Sequence, residues 1–206
     1  MPLKYRKTLF FNDEDYLAFK RIIGDTLEKR PMRMLSYCLM PNHWHFALWP
    51  EKDDDLGRFM QQLTVTHVTR WQKNYNMVGY GHVYQSQFKS FPIETDEHFY
   101  QVNRYVERNA LRANLTARAE NWAYGRLWIR QHGTAEQRVL LSSWPLPVPQ
   151  KWKSYVNQPA SEAELAALRR SVVRGAPYGS TSWIESTASK LGLQATLRKP
   201  GRPKKR

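Results

Sequence analysis

The chain has a single cysteine, Cys38, in 206 residues. A lone cysteine excludes an internal disulfide and a thiolate-rich zinc site. Its place in the apolar run Met34-Leu35-Ser36-Tyr37-Cys38-Leu39-Met40 marks it as a small buried hydrophobe. No apolar run approaches the ~20 residues that a membrane-spanning helix needs. The first residues, Met-Pro-Leu-Lys-Tyr-Arg-Lys, lack the apolar segment of a secretory signal, so a soluble cytoplasmic protein is expected. There is no internal repeat and no Gly-rich phosphate loop of the Walker type. Acidic residues are scarce, 18 against 32 lysines and arginines, for a formal net charge of +14. That imbalance points to a polyanionic partner, nucleic acid ahead of an anionic membrane surface. What is present is a globular composition, 41% hydrophobic and 13% aromatic, which excludes a disordered chain.

Asn12-Asp13-Glu14-Asp15 opens a helix, with a polar cap and acids at its positive end. Tyr16, Leu17, Phe19, Ile22, Ile23 and Leu27 follow at helical spacing, and Pro31 ends it. Residues 32–40 read as a buried strand, Pro41-Asn42 as a turn, and His43 to Trp49 as a second strand closed by Pro50. Asp53-Asp54-Asp55 starts a second helix along Leu56, Phe59, Met60, Leu63, Val68 and Trp71. Residues 74–82 read as a loop. Residues 83–93 alternate through Val83, Tyr84, Phe88, Phe91 and Ile93 and predict a third strand. Thr95 or Asp96 caps a third helix that runs to Ala113. This order predicts an α+β fold, an antiparallel sheet with helices on one face. Beyond residue 130 the chain is punctuated by Pro145, Pro147, Pro149 and Pro159, with Trp144 just before them and Trp152 among them. Helices are expected over 161–174 and 180–193. The segment Arg198–Arg206 carries six basic residues and no acid.

The densest chemistry lies in Met40-Pro41-Asn42-His43-Trp44-His45. On a strand, residues i and i+2 share a face, so His43 and His45 point together and Trp44 points oppositely into a core. Two imidazoles make half a metal site, although so short a pattern equally fits two unrelated half-buried histidines. On the third helix Tyr105 and Asn109 stand at i and i+4 on one face. An asparagine oxygen can complete a two-histidine site and leave positions open for substrate oxygens. A phenolate beside a Lewis-acidic metal can attack a phosphodiester and keep the bond energy in a phosphotyrosine. Taken singly, Tyr105 also fits a packing residue and Asn109 a cap. Arg104, Arg108 and Arg112 recur every four residues, either as a solvated helix face or as phosphate contacts.

Three strings, Tyr37-Cys-Leu-Met-Pro-Asn-His-Trp-His45, Gly81-His-Val-Tyr-Gln85 and Arg104-Tyr-Val-Glu-Arg-Asn-Ala-Leu-Arg-Ala113, occur in this order. Together they closely resemble the single-tyrosine HUH transposases, in particular the REP-associated tyrosine transposases. The resemblance covers the core to residue 130. It extends more weakly to Gly179-Ser-Thr-Ser-Trp183, Leu191-Gly-Leu193 and Gly201-Arg-Pro203. It implies a ferredoxin-like HUH endonuclease fold over 1–130, followed at 131–206 by a mostly helical, basic DNA-binding extension. It also implies a metal-dependent single-strand DNA endonuclease and strand transferase. His43, His45 and Asn109 match the family's ligands for Mg²⁺ or Mn²⁺, and Tyr105 its nucleophile. The implied product is a 5′-phosphotyrosine with a free 3′-OH, and the implied substrate a palindromic repeat folded as a hairpin. A nucleoid-associated monomer, with no membrane partner, is expected over a dimer.

Two departures accompany the resemblance. The resemblance implies an extra strand before the first helix, whereas nine residues precede Phe10 here, so either the start is assigned late or the first strand is truncated. After Gln85 the family's Gly-Arg-Phe is Ser86-Gln87-Phe88, which removes one phosphate contact. DNA contacts are expected from Gln85, Lys89, Arg104, Arg108, Arg112, Arg202, Lys204 and Lys205. Pro200-Gly201-Arg202-Pro203-Lys204 partly resembles an AT-hook. His67 reads as a core residue, and His82, His98 and His132 receive no ligand role. The alternative function is a catalytically decayed, domesticated DNA-binding protein at palindromic repeats. An HNH-type nuclease is disfavoured, because the segment after His45 reads as apolar strand rather than a ligand-bearing helix.

Overall fold

Asn12 caps the first helix as its sequence predicts. In the computed structural model, which describes residues 8–79, 81–84 and 86–198, α1 runs Asp13–Lys29. The Asn12 side chain accepts from the Asp15 N–H at 3.1 Å, and three acids fill the first turn. Tyr16, Phe19, Ile22, Ile23 and Thr26 form its buried stripe. β1 (Arg33–Met40) and β2 (His43–Trp49) pair antiparallel across Pro41-Asn42. The register sets Met40 opposite His43, Leu39 opposite Trp44 and Cys38 opposite His45, with an irregularity between Met34 and Ser36. α2 (Asp55–Asn74) lays Phe59, Met60, Leu63, His67 and Trp71 against α1 and the inner face of the sheet.

Every residue from Met34 to Met40 is buried. Tyr37 and Leu39 enter the core shared with α1 and α2. Ser36 and Cys38 face the other way, toward α3 (Glu97–Glu107) and α4 (Asn109–Arg112). Helices therefore cover both faces of β1 rather than one. The cause is local: consecutive residues of β1 are apolar, so neither face can be left in water. Cys38 is fully buried. Burial pushes its thiol up to about 12 and keeps it inert.

The expected third helix is interrupted at Arg108, but hydrogen bonds carry across: Arg108 N–H reaches Arg104 C=O, and Arg112 N–H reaches Arg108 C=O, both at 2.9 Å. Three helices absent from the sequence-based reading follow: α5 (Arg126–His132), α6 (Ala135–Val139) and α7 (Trp152–Asn157). They are short, and it is tertiary contact rather than periodicity that orders them. The chain around them completes β1. Leu39 N–H donates to Tyr124 C=O at 2.9 Å, and the Trp122 indole donates to Leu39 C=O at 2.8 Å. Ser142 N–H reaches Met34 C=O at 2.9 Å, and the Trp144 indole reaches Leu35 C=O at 2.7 Å.

Among the described residues of 83–93 the expected strand does not form. Residues 86–90 are exposed and have no neighbouring strand, and only Ile93 makes a bridge, to Tyr178. Alternation without a partner leaves a ladder unmade. The sheet has two strands among the described residues, and residues 1–7, where any remnant of a truncated first strand would begin, lie outside them.

Two compact units result, one drawn from Met1–Phe88 with Asn103–Gln158, the other from Lys89–Val102 with Pro159–Arg206. Residues 131–158 thus belong with the first unit, although the sequence character changes at 130. In the second unit α8 (Glu162–Arg174) starts with a Ser161/Glu164 capping box and ends at Gly175, whose φ of 69° is the left-handed C-terminal cap. α9 (Thr181–Lys190) and α10 (Gln194–Leu197) follow. Gly179 permits a close approach, since a Cβ there would stand 2.6 Å from Glu94 Oε2. No helix among the described residues is long and apolar enough to cross a membrane.

His67 lies in the core, 4% exposed, between the rings of Phe10 and Phe19. The Trp44 indole donates to Tyr84 Oη at 3.2 Å, and Tyr84 Oη lies 2.6 Å from His67 Nδ1. With the Tyr84 hydroxyl accepting from the indole and donating its hydrogen bond to Nδ1, His67 is held in the neutral Nε2–H form. Burial depresses the His67 pKa to about 4. The unfolded chain then binds the extra proton, so this stability is whole above about pH 6.5 and is lost as pH falls toward 4. We expect urea unfolding to show a loss of about 2 kcal/mol between pH 7 and pH 5 from this group. His67→Gln, which keeps an acceptor for Tyr84 but cannot titrate, should flatten that slope. An unchanged slope in the variant would refute the assignment.

Candidate active site

β2 alternates as predicted. Trp44 and Phe46 turn to the core, while His43 and His45 share the opposite face. Their ring centroids are 4.9 Å apart, at 79° to one another. His43 Nδ1 lies 2.6 Å from Asn42 Oδ1. With that oxygen accepting, Nδ1 carries the proton and Nε2 keeps the lone pair that a metal would take. Both histidines are half-buried.

α3 and α4 supply the other side. The Tyr105 ring meets His45 edge-on, at 5.9 Å between centroids and 85° between planes. Asn109 is 1% exposed. Its Nδ2 donates to Tyr105 C=O at 2.8 Å and Val106 C=O at 3.3 Å. Its Oδ1 accepts from Arg112 Nη2 at 2.6 Å. The same Arg112 nitrogen reaches Tyr105 Oη at 3.3 Å, and the guanidinium lies 4.5 Å from the centre of the Tyr105 ring. Residues 105, 109 and 112, spaced i, i+4 and i+7, thus share a helical face. Two imidazoles and an amide oxygen are groups able to ligate a divalent cation.

The remaining expected contacts divide. Arg104 is 6% exposed and stacks over the Tyr155 ring at 4.3 Å. Arg108 donates to the Val156 and Asn157 carbonyls. Its pKa is drawn down by burial, then by the neighbouring Arg104 and Arg112 charges. Both guanidinium groups thus engage α7, and Arg112 is the exposed member of the stripe. Lys89 is exposed, in the second unit. Gln85, Arg202, Lys204 and Lys205 fall outside the described residues.

The sequence reading missed a carboxylate behind the site. Glu107 is 3% exposed and takes three donors: Ser36 Oγ at 3.0 Å, Arg126 Nη1 at 2.9 Å and the Trp152 indole at 2.8 Å. Arg126 in turn stacks over Trp144 at 4.0 Å. The available signal was an acid at i+4 from Asn103 and i−3 from Ala110, on a face that is otherwise buried.

The second unit holds a different cluster. Glu94, Asp96 and His98 bring ligand atoms within 4.8 Å of one another, close enough to hold a cation. Each also has local work. Asp96 accepts from the His98 N–H at 2.8 Å at the start of α3, and Glu94 accepts from the Ser180 N–H at 2.6 Å.

Comparison with known proteins gives one family. The family model described as "Transposase IS200 like" matches residues 1–109, a span that includes His43, His45 and Tyr105 and ends at Asn109. No curated protein and no solved structure matches the chain significantly.

Removing one partner of the Glu107–Arg126 pair strands a buried charge. Arg126→Met is expected to destabilise the protein by about 3–5 kcal/mol. The double variant Glu107→Leu/Arg126→Met should lose less than the sum of the two single variants. Urea midpoints check this, and additive losses would show that the pair is not coupled.

Proposed function

The chain belongs to the IS200-like transposase family, whose partner is DNA, and from that premise we propose that it nicks and rejoins single-stranded DNA through a tyrosine-linked intermediate. The observation that carries this is the edge-on approach of Tyr105 to His45, on the strand face that His43 also occupies. In this reading Tyr105 Oη attacks the scissile phosphorus. The Tyr–O–P bond forms as the bond to the 3′ oxygen breaks, the phenolic proton leaves to solvent, and the 3′ oxygen takes a proton. One phosphoester replaces another, so the step needs no nucleotide cofactor.

His43, His45 and Asn109 hold Mg²⁺ or Mn²⁺, which when bound supplies Lewis-acid neutralisation of the scissile phosphate. Asn42 orients His43, and the backbone carbonyls of Tyr105 and Val106 orient Asn109. The substrate is a palindromic repeat folded as a hairpin, in the manner of the REP-associated members that the sequence resembles. Of the basic extension read from the sequence, the part beyond residue 158 acts in DNA binding, with Arg202, Lys204 and Lys205 adding counterion release along the duplex. The protein works as a monomer at the nucleoid.

Covalent trapping tests the proposal. Purified protein is mixed with end-labelled single-stranded hairpin DNA from the repeats flanking its gene, in Mn²⁺ or EDTA, and run under denaturing conditions. A slower, metal-dependent band is expected, lost in Tyr105→Phe while hairpin binding persists. A band that survives Tyr105→Phe would sink the mechanism. Binding with no band in the unaltered protein would favour the decayed DNA-binding alternative.

A further inference from the structure

Arg112 occupies the oxygen that a metal would need. The Asn109 amide has only one orientation consistent with its neighbours. Backbone carbonyls accept only, so the NH₂ faces Tyr105 and Val106; guanidinium donates only, so Oδ1 faces Arg112. The 2.6 Å contact is short and charge-assisted. The same side chain is exposed, lies over the Tyr105 ring and reaches its hydroxyl. It sits at the end of α4, and among the described residues its side-chain hydrogen bonds go to Tyr105 and Asn109.

We infer that Arg112 is a latch: it holds Asn109 and Tyr105 until a DNA phosphate draws the guanidinium away, and so couples metal binding to substrate binding. A planar guanidinium pairs with a phosphate through two parallel bonds, a better bargain than one amide oxygen. Its departure uncovers Asn109 Oδ1 and moves a positive charge away from the place of a second positive charge. The two ligands then bind with positive coupling, and neither completes the centre alone. This rests on the reading that His43, His45, Tyr105 and Asn109 form the reaction centre.

The test measures Mn²⁺ affinity of the full-length protein in the absence of DNA, by titrating free Mn²⁺ with its electron-spin resonance signal. Arg112→Ala should bind Mn²⁺ about tenfold more tightly than the unaltered protein, since it loses both the competing donor and the like charge. The same variant should form the DNA adduct at least about tenfold more slowly, because the phosphate has lost its bidentate partner. Arg112→Lys keeps the charge but not the planar fork, and should fall between the two in Mn²⁺ affinity. Thermal unfolding checks that both variants fold. Unchanged or weaker Mn²⁺ binding in Arg112→Ala, with binding lost in His43→Ala and His45→Ala, overturns the latch and leaves the proposed reaction centre standing. Mn²⁺ binding that survives both histidine substitutions overturns the reaction centre and the latch with it.

Discussion

One buried carboxylate organises the first unit. Glu107 stands on α3, two residues beyond Tyr105, and is 3% exposed. Its two oxygens receive Ser36 from β1, Arg126 from α5 and Trp152 from α7. A charge so placed must be fully partnered, because each unmet bond in a dry interior is costly. The three donors come from segments far apart in the chain, so satisfying Glu107 requires β1, α3, α5 and α7 to meet in one arrangement. Tyr105 inherits its position from this constraint. The helix cannot slide or rotate against β1 without breaking the Ser36 and Arg126 contacts, so the phenol keeps its station beside His45.

The site has a second layer of control in how its polar groups are aimed. Asn42 sets the tautomer of His43, and two backbone carbonyls set the orientation of Asn109. On the core side of the same strand, the Trp44–Tyr84–His67 chain fastens β2 to α2. The arginines separate by environment. Arg104 and Arg108 are turned to α7, which ties down the helix that carries Tyr105, whereas Arg112 stands at the solvent edge with its charge beside the Tyr105 phenol.

Much of this was legible in the residues. The cap at Asn12, the stripe Tyr16–Phe19–Ile23 and the two strands around Pro41-Asn42 follow from local rules that tertiary context did not need to override. The shared face of His43 and His45 follows from the pleat, and that of Tyr105 and Asn109 from the helix repeat. The strand read at 83–93 failed because alternation describes a half-buried face but does not supply the neighbouring strand to bond with. Helices α5 to α7 were invisible because segments of seven residues or fewer carry too little periodicity to stand out, and their order comes from packing.

By itself, then, the sequence determined which side chains share a face and the basic charge that calls for a polyanion, since both depend on neighbours along the chain. Membership of the IS200-like family agrees with that reading. Only tertiary structure decided that His45 and Tyr105 meet, that Glu107 is the buried anchor behind them, and that Arg112 rather than Arg104 or Arg108 stands at the phenol. These are contacts between residues up to 71 places apart in the chain or between alternatives that look alike in it, and burial and steric fit select among them without any local pattern to announce the choice.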